Sequence, residues 1–312
     1  MSEGHVLLLA GPTASGKSAL ALALAEEFGG AVINADSMQV YRELRVLTAR
    51  PSPAEEARAP HRLYGVVPAA DHYSVARWLA AARAEIEAAI AVGQVPIVVG
   101  GTGLYFQALT EGLSPVPDID DAVRAEARSL ADEIGSEALH GRLAAEDPEG
   151  AAKLRPSDPQ RLIRAWEVLR QTGRPLSYWQ GLPPDPPGLT RPWRGMVLAP
   201  ERDRLYARCD ARLVAMIEAG ALEEVRAIAD LDPALPARRA LGVPELVAHL
   251  RGEMSLDDAL QQAQTATRRY AKRQLTWLRN KMISWQWLNA NENVRFNDEI
   301  FPFVSGFLLT GR

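Results

Sequence analysis

The sequence predicts an α/β fold: a doubly wound parallel sheet as the core, with an inserted all-helical domain. Three observations lead there. A buried apolar run, a Gly-rich loop and a helix follow one another over residues 5–28. Strand and helix signals then alternate to about residue 115, and from 116 to 190 every periodic stretch is helical. Short buried strands alternating with amphipathic helices make parallel βαβ units, whose ligands lie at the carboxyl ends of the strands.

The first unit is the most specific. HVLLLA (5–10) reads as a strand, GPTASGKS (11–18) as a loop and ALALALAEEF (19–28) as a helix. The loop fits G-x-x-x-x-G-K-[ST] with Gly11, Gly16, Lys17 and Ser18, in the strand-loop-helix context the motif requires, so the core is a P-loop core. Gly11, Pro12, Thr13, Ala14, Ser15, Gly16, Lys17 and Ser18 are the expected phosphate cradle. Its glycines let backbone N–H groups converge on phosphate oxygens, Lys17 adds a point charge, and the Ser18 hydroxyl can ligate Mg²⁺ at a helix N-terminus.

AVINAD (31–36) reads as a second strand ending in Asp36, followed by a Pro-rich loop. A helix over 73–93 stops at Gly93, and VPIVVGG (95–101) is a third buried strand running into TGLYFQALTEG. The helical insertion closes on the Pro/Gly-rich connector GLPPDPPGLTRPW (181–193). RGMVLAP (194–200) returns as a strand, and helices follow at 201–219, 221–230, 244–251 and about 256–282. The expected domains are thus 1–115 with 191–290 as the core and 116–190 as the insertion. No role is assigned to 291–312, whose pattern is weak.

Composition narrows the function. With 47% hydrophobic and 24% charged residues the chain reads as an ordinary soluble protein, and a net charge of −4 confines any nucleic-acid surface to a local patch. The single cysteine, Cys209, excludes an intrachain disulfide or a Cys-based zinc site and fits a reducing cytoplasm. No run approaches 18 apolar residues, so no membrane role is expected. The five histidines show no metal-ligand spacing, and Mg²⁺ with the phosphates is the only metal expected.

Asp36 faces the same rim as the phosphate loop. It can anchor Mg²⁺, as an acid ending a strand does in a hydrolytic NTPase, or act as a general base on an acceptor. PIVVGG supplies no acid at its own end. In GGTGLY (100–105), Gly100, Gly101 and Gly103 would let a ligand approach the backbone, and the Thr102 hydroxyl could orient an acceptor atom. Two runs carry local positive charge. TRRYAKRQLTWLRNK (267–281) contains no acid, and helical spacing puts Arg268, Lys272 and Arg279 near one face with Leu275 and Leu278 left for packing. DPQRLIRAWEVLR in the insertion sets Arg161 and Arg164 one turn apart beside Gln160. Two such runs around a phosphate-binding core favour a polyanionic partner.

GPTASGKS, DSMQVYRELRVLTARP, VVGGTGLYFQAL, DPQRLIRAWEVLRQTGRPLS and KRQLTWLR, in this order, closely resemble the tRNA dimethylallyltransferases, also called tRNA isopentenyltransferases, over about residues 6–280. The resemblance implies that the loop holds the diphosphate of dimethylallyl diphosphate, which leaves as the five-carbon group moves to the exocyclic amine of the adenosine just 3′ of a tRNA anticodon. It implies Asp36 as general base, assisted by Thr102, and tRNA-facing residues at Asp36, Ser37, Met38, Gln39, Thr102, Arg124, Gln160, Arg161, Leu162, Ile163, Arg164, Lys272, Arg273, Gln274, Trp277 and Arg279, to which the basic run adds Arg268. The expected partners are then a tRNA anticodon stem-loop and the prenyl donor, with the protein itself a monomer.

Departures from the family pattern occur at RALGVPE (239–245), where many relatives read R-x-V-G-Y-x-Q, and at RVLTARP (45–51), which replaces D-I-G-T-A-K-P. No cysteine-based zinc finger follows the core, which points to the bacterial form. Two other readings compete. An ATP-dependent small-molecule or nucleoside kinase would use the same loop but has no use for the basic C-terminal helix. A nucleotide-dependent RNA-binding protein would leave Asp36 and GGTGLY idle.

Overall fold

The computed structural model describes residues 4–289 and 296–309, with side chains in the last segment from Ile300 on. β1 (Val6–Ala10) leads through the phosphate loop to α1 (Lys17–Phe28) and β2 (Gly30–Asn34). The short α2 (Pro53–Glu56) and β3 (His61–Arg62) precede α3 (Val75–Ala91), β4 (Val95–Gly100) and α4 (Gly103–Glu111). Four helices come next: α5 (Asp121–Glu146), α6 (Pro148–Ala152), α7 (Pro159–Thr172) and α8 (Leu176–Gln180). The chain returns with β5 (Trp193–Leu198), α9 (Arg202–Glu218), α10 (Ala221–Ile228), a 3₁₀ turn over Pro236–Arg239 and α11 (Val243–Leu250). It ends with α12 (Leu256–Lys281), β6 (Gln286–Leu288) and α13 (Phe296–Leu309).

Two compact units result. One runs to Thr110 and resumes at Leu189, and the other is Glu111–Gly188. The first holds a six-stranded, all-parallel sheet in the order β3-β2-β4-β1-β5-β6. A parallel sheet buried on both faces needs apolar residues in both orientations, and every residue of β1 and β2 is buried. Leu7 and Leu9 of β1 pack with Leu20 and Leu24 of α1 and with Ile300 and Val304 of α13. α3 packs on β2 and β4 outside that cluster, where Trp78 stacks on Tyr105 at 4.1 Å and donates its indole N–H to Asn34 O at 2.7 Å. A second core in this unit, formed by α9, α10, α11 and the start of α12, takes in Tyr41, Leu44 and Leu47 from the segment after β2.

The second unit is all helical. Its core joins Leu139 and Leu143 of α5 to Leu162, Ala165 and Trp166 of α7. Its ends are tied by Leu113 N–H to Pro186 O and Asp185 N–H to Leu113 O. α5 is interrupted at Gly135, which adopts φ 78°, ψ 165°.

One sequence expectation changes, and a stretch without an assignment gains an element. The second strand ends at Asn34, not Asp36, because the buried Asn34 side chain closes a turn: its Oδ1 accepts Asp36 N–H at 2.8 Å and its Nδ2 donates to Leu63 O. The weakly patterned C-terminal stretch contains α13, an apolar helix with Pro302 inside it.

Candidate active site

Three loops meet at the carboxyl ends of β1, β2 and β4. Backbone bonds lock them together: Gly11 N–H donates to Gly100 O at 3.2 Å, Ala35 N–H to Val99 O at 2.7 Å and Thr102 N–H to Ala35 O at 3.2 Å. In the phosphate loop Ala14 (φ 61°) and Gly16 (φ 92°) are left-handed, the alternation that turns successive N–H groups toward one side at the start of α1. Lys17 donates to Pro12 O at 3.2 Å. Burial pulls its ammonium down from 10.5 to about 8, and Asp36 lies close enough to oppose that shift while Arg212 adds to it. Ser18 is exposed, whereas the Ser15 hydroxyl is buried within the loop.

The Asp36 Oδ1 accepts Met38 N–H at 2.9 Å, a second Asx turn directly after the one at Asn34. Thr102 Oγ1 accepts Ser37 N–H at 2.9 Å and donates to Ser37 Oγ at 3.2 Å. The side chain expected to orient an acceptor therefore holds the residue next to Asp36. The GGTG glycines are also used differently from the sequence expectation. A Cβ at Gly100 would strike Ala35 O, one at Gly101 would strike Gln274 Nε2, and one at Gly103 would strike the Trp277 ring. The room they leave is filled by the protein's own backbone and side chains rather than left for a ligand.

Family comparisons agree with this architecture. The IPP transferase family matches residues 39–281, and the Isopentenyl transferase family matches 4–67. A tRNA dimethylallyltransferase of Rhodospirillum centenum is 60% identical over 94% of either chain, and that of Parvibaculum lavamentivorans is 52% identical over 99% of either. The chain belongs to the tRNA dimethylallyltransferase family. Among solved structures, the tRNA isopentenylpyrophosphate transferase of Bacillus halodurans is similar with a TM-score of 0.70 at 32% identity, covering 98% of this chain and 97% of that one. A eukaryotic dimethylallyltransferase captured acting on tRNA gives a TM-score of 0.81 at 26% identity, over 99% of this chain and 80% of that one.

The tRNA-facing set implied by this family divides in the structure. On α12, Lys272, Arg273 and Arg279 are exposed, and a cavity of about 500 Å³ is lined by Arg269, Lys272, Arg273, Thr276, Trp277 and Asn280. Leu275 and Leu278 are buried. Arg268 leaves the exposed set because Asp210 of α9 takes it in two bonds, at 2.6 and 2.8 Å. Gln274 is a correction: it is 6% exposed and bonds to protein through both ends of its amide. Gln39 donates to Thr48 O and Ala49 O, so its amide shapes its own loop.

In the helical unit, Gln160 and Arg161 are exposed and Arg164 is half-buried, 3.4 Å from Glu167. With Lys153, Asp147 and Asp158 they border a cavity of about 650 Å³. Leu162 is a second correction, since it is fully buried in that unit's core, with Ile163 packed against the same cluster. Arg124 is half-buried and donates to Ile119 O at 3.1 Å.

Two residues escape the sequence reading. Arg212 of α9 hydrogen-bonds the Thr13 hydroxyl and sits near Lys17, so a second cation borders the phosphate loop, and burial lowers its own pKa. Glu224 of α10 accepts three consecutive backbone N–H groups, Arg45 at 3.0 Å, Val46 at 2.7 Å and Leu47 at 3.0 Å. Each contact joins residues nearly 180 or more positions apart, and no local pattern announces it.

The two departures from the family pattern also meet. Leu47 of RVLTARP is buried, and its Cδ1 lies 3.2 Å from where a Gly242 Cβ would stand. Val243 of RALGVPE is fully buried in the same core, and Pro244 falls in the first turn of α11, where its missing N–H costs nothing.

Proposed function

We propose that the protein transfers the dimethylallyl group of dimethylallyl diphosphate to the exocyclic amine of the adenosine directly 3′ of the anticodon in tRNA, releasing diphosphate. The observation that carries this reading is the bonding of the Asp36 loop, through Thr102, to the strand end next to the phosphate loop, which brings the Asp36 carboxylate near enough to Lys17 to oppose the lowering of its pKa by burial. An adenine amine is a poor nucleophile because its lone pair is delocalised into the ring. A carboxylate that takes its proton as the new N–C bond forms supplies what the acceptor lacks. The donor's C–O bond breaks in the same event. Its electrons leave on a diphosphate stabilised by loop N–H groups, Lys17 and Arg212.

The residues present suit Mg²⁺ held mainly by substrate. Among the described residues no group of three or more His, Cys, Asp or Glu side chains could hold a metal alone. Exposed Ser18, at the start of α1, offers one hard oxygen, and diphosphate oxygens and water would complete the set. When bound, the ion adds positive charge against the leaving group.

The target adenosine must leave its stack to reach Asp36, which is easier in a single-stranded anticodon loop than in a duplex. Lys272, Arg273, Trp277 and Arg279 on α12, with Gln160, Arg161 and Arg164 in the helical unit, supply cations and an aromatic face for that RNA. No described helix is long and apolar enough to cross a membrane, and tRNA modification by a monomer in the cytoplasm fits the reading. The test is mass spectrometry of an anticodon stem-loop incubated with protein, Mg²⁺ and dimethylallyl diphosphate, with ATP as the parallel donor. A gain of one five-carbon unit on that adenosine with the prenyl donor alone is expected. ATP consumption without such a gain would restore the kinase.

A further inference from the structure

A single buried amide joins the loops that would serve the two substrates. Gln274 accepts Thr13 N–H at 2.9 Å, in the phosphate loop, and donates through Nε2 to Gly101 O at 2.8 Å, in the loop after β4. Glycine at 101 admits it, since a Cβ there would collide with Nε2. From Gly101 the bonding continues through Thr102, whose N–H donates to Ala35 O and whose hydroxyl accepts Ser37 N–H. Asp36 lies between those two residues. The amide thus connects the donor's loop to the base's loop, and it does so from α12, which also carries the exposed Lys272 and Arg273.

We propose that Gln274 is a positioning residue for prenyl transfer: it fixes the spacing between the phosphate loop and the Asp36 loop from inside the protein and makes no contact with RNA. The proposal rests on the transferase reading above. Transfer needs the amine, the donor carbon and the leaving diphosphate oxygen in line, with the base within reach of the amine proton, and a misplacement of about 1 Å costs on the order of 10²-fold in rate. A Gln amide presents one acceptor and one donor side by side, as Thr13 N–H and Gly101 O require. Leaving either buried partner unpaired is unfavourable, so the bridge resists drift of one loop against the other.

Three variants test it in single-turnover prenylation of an anticodon stem-loop, with enzyme in excess and saturating dimethylallyl diphosphate; RNA affinity is measured separately without donor. Gln274→Met removes both bonds at similar volume, Gln274→Glu keeps only the acceptor, and Gly101→Ala pushes Nε2 away with Gln274 intact. Gln274→Met and Gly101→Ala should each lower the single-turnover rate about 10²-fold, with RNA Kd within about twofold of wild type and Gln274→Glu between. RNA binding weakened tenfold at an unchanged rate would make Gln274 an RNA contact and overturn the proposal. A lower melting temperature with an unchanged rate per active enzyme would reduce it to packing. If Gln274→Met does not fold, Gly101→Ala decides. Wild-type protein in the same assay separates the two levels of argument. Failure of wild type to prenylate removes the transferase reading and this proposal with it, whereas equal rates in wild type and variants remove this proposal alone.

Discussion

The phosphate loop and the segment after β2 both sit at carboxyl ends of parallel strands, yet they are held in opposite ways. The phosphate loop carries its own instructions: left-handed Ala14 and Gly16, then the N-terminus of α1, all within eight residues. The segment that begins at Asp36 has no such code. It is shaped by Glu224 on three backbone N–H groups, by Gln39 on Thr48 O and Ala49 O, and by Arg50 on Tyr41 O and Arg42 O. The first loop's shape is written in a short motif that Gln274 and Arg212 brace at Thr13, whereas the second, despite bonds of its own, depends on the distant Glu224 for three of its N–H groups. Anion binding can be encoded in a short peptide, whereas the shape of the Asp36 segment draws on the rest of the fold.

The largest effects should come from each loop's charged group. Asp36→Ala is expected to slow prenyl transfer by about 10² to 10⁴, as for a lost general base, with stem-loop affinity mostly kept. Unchanged turnover would remove Asp36 from the mechanism and leave its loop without a chemical role. For Lys17 the useful probe is pH. Its ammonium loses its proton near pH 8, so kcat/KM for the prenyl donor should fall about tenfold per pH unit above that value. Lys17→Arg, charged throughout, should flatten that limb. The same depression has a stability counterpart. Between about pH 8 and 10.5 the folded chain has shed a proton that the unfolded chain keeps, so Lys17 makes folding more favourable as pH rises through that window.

The tertiary loop is broken from a distance. Glu224→Gln keeps an acceptor but removes the charge that serves three donors, and it should lower stability by about 1–3 kcal/mol in urea unfolding. If the loop's geometry governs Asp36, kcat should drop by about tenfold, the equivalent of a 1.4 kcal/mol rise in barrier, with donor KM close to wild type. A loss confined to donor KM would mean that Glu224 acts on the phosphate loop rather than on Asp36.

This contrast also explains what could be read from sequence. β1, β2, β4 and β5 were legible because each is an apolar run bounded by turn residues, and the phosphate loop because its spacing is self-contained. β3 and β6, two and three residues long, are too short to show alternation, and α13 carries Pro302 inside it, a residue that ordinarily breaks a helical pattern. The sequence pattern marks Asp36 but extends the strand two residues too far, since an Asx turn led by a buried Asn34 has the composition of a strand end. Motif and charge pattern point Gln274, Leu162 and Arg268 outward, but the core or Asp210 holds them inward, through partners that lie far along the chain or on a helix face.

The smallest expected effect separates two cations that the sequence treats alike. Arg268 and Lys272 lie one turn apart on α12, but Arg268 is doubly bonded to Asp210 while Lys272 is exposed and borders the cavity beside Trp277. An arginine already neutralised by a carboxylate releases no counterion when RNA arrives. Lys272→Gln should therefore reduce the slope of log affinity against log salt by about 0.7, the value for one single-strand phosphate contact, and Arg268→Gln should leave it unchanged. Arg268→Gln should instead cost up to about 1 kcal/mol of stability, as for a partly exposed ion pair. Equal slope changes in both variants would mean that RNA draws Arg268 away from Asp210. The pairing of α9 with α12 would then be a contact exchanged on binding, and the line between cations that face RNA and those that brace the fold would move one helical turn toward the N-terminus of α12.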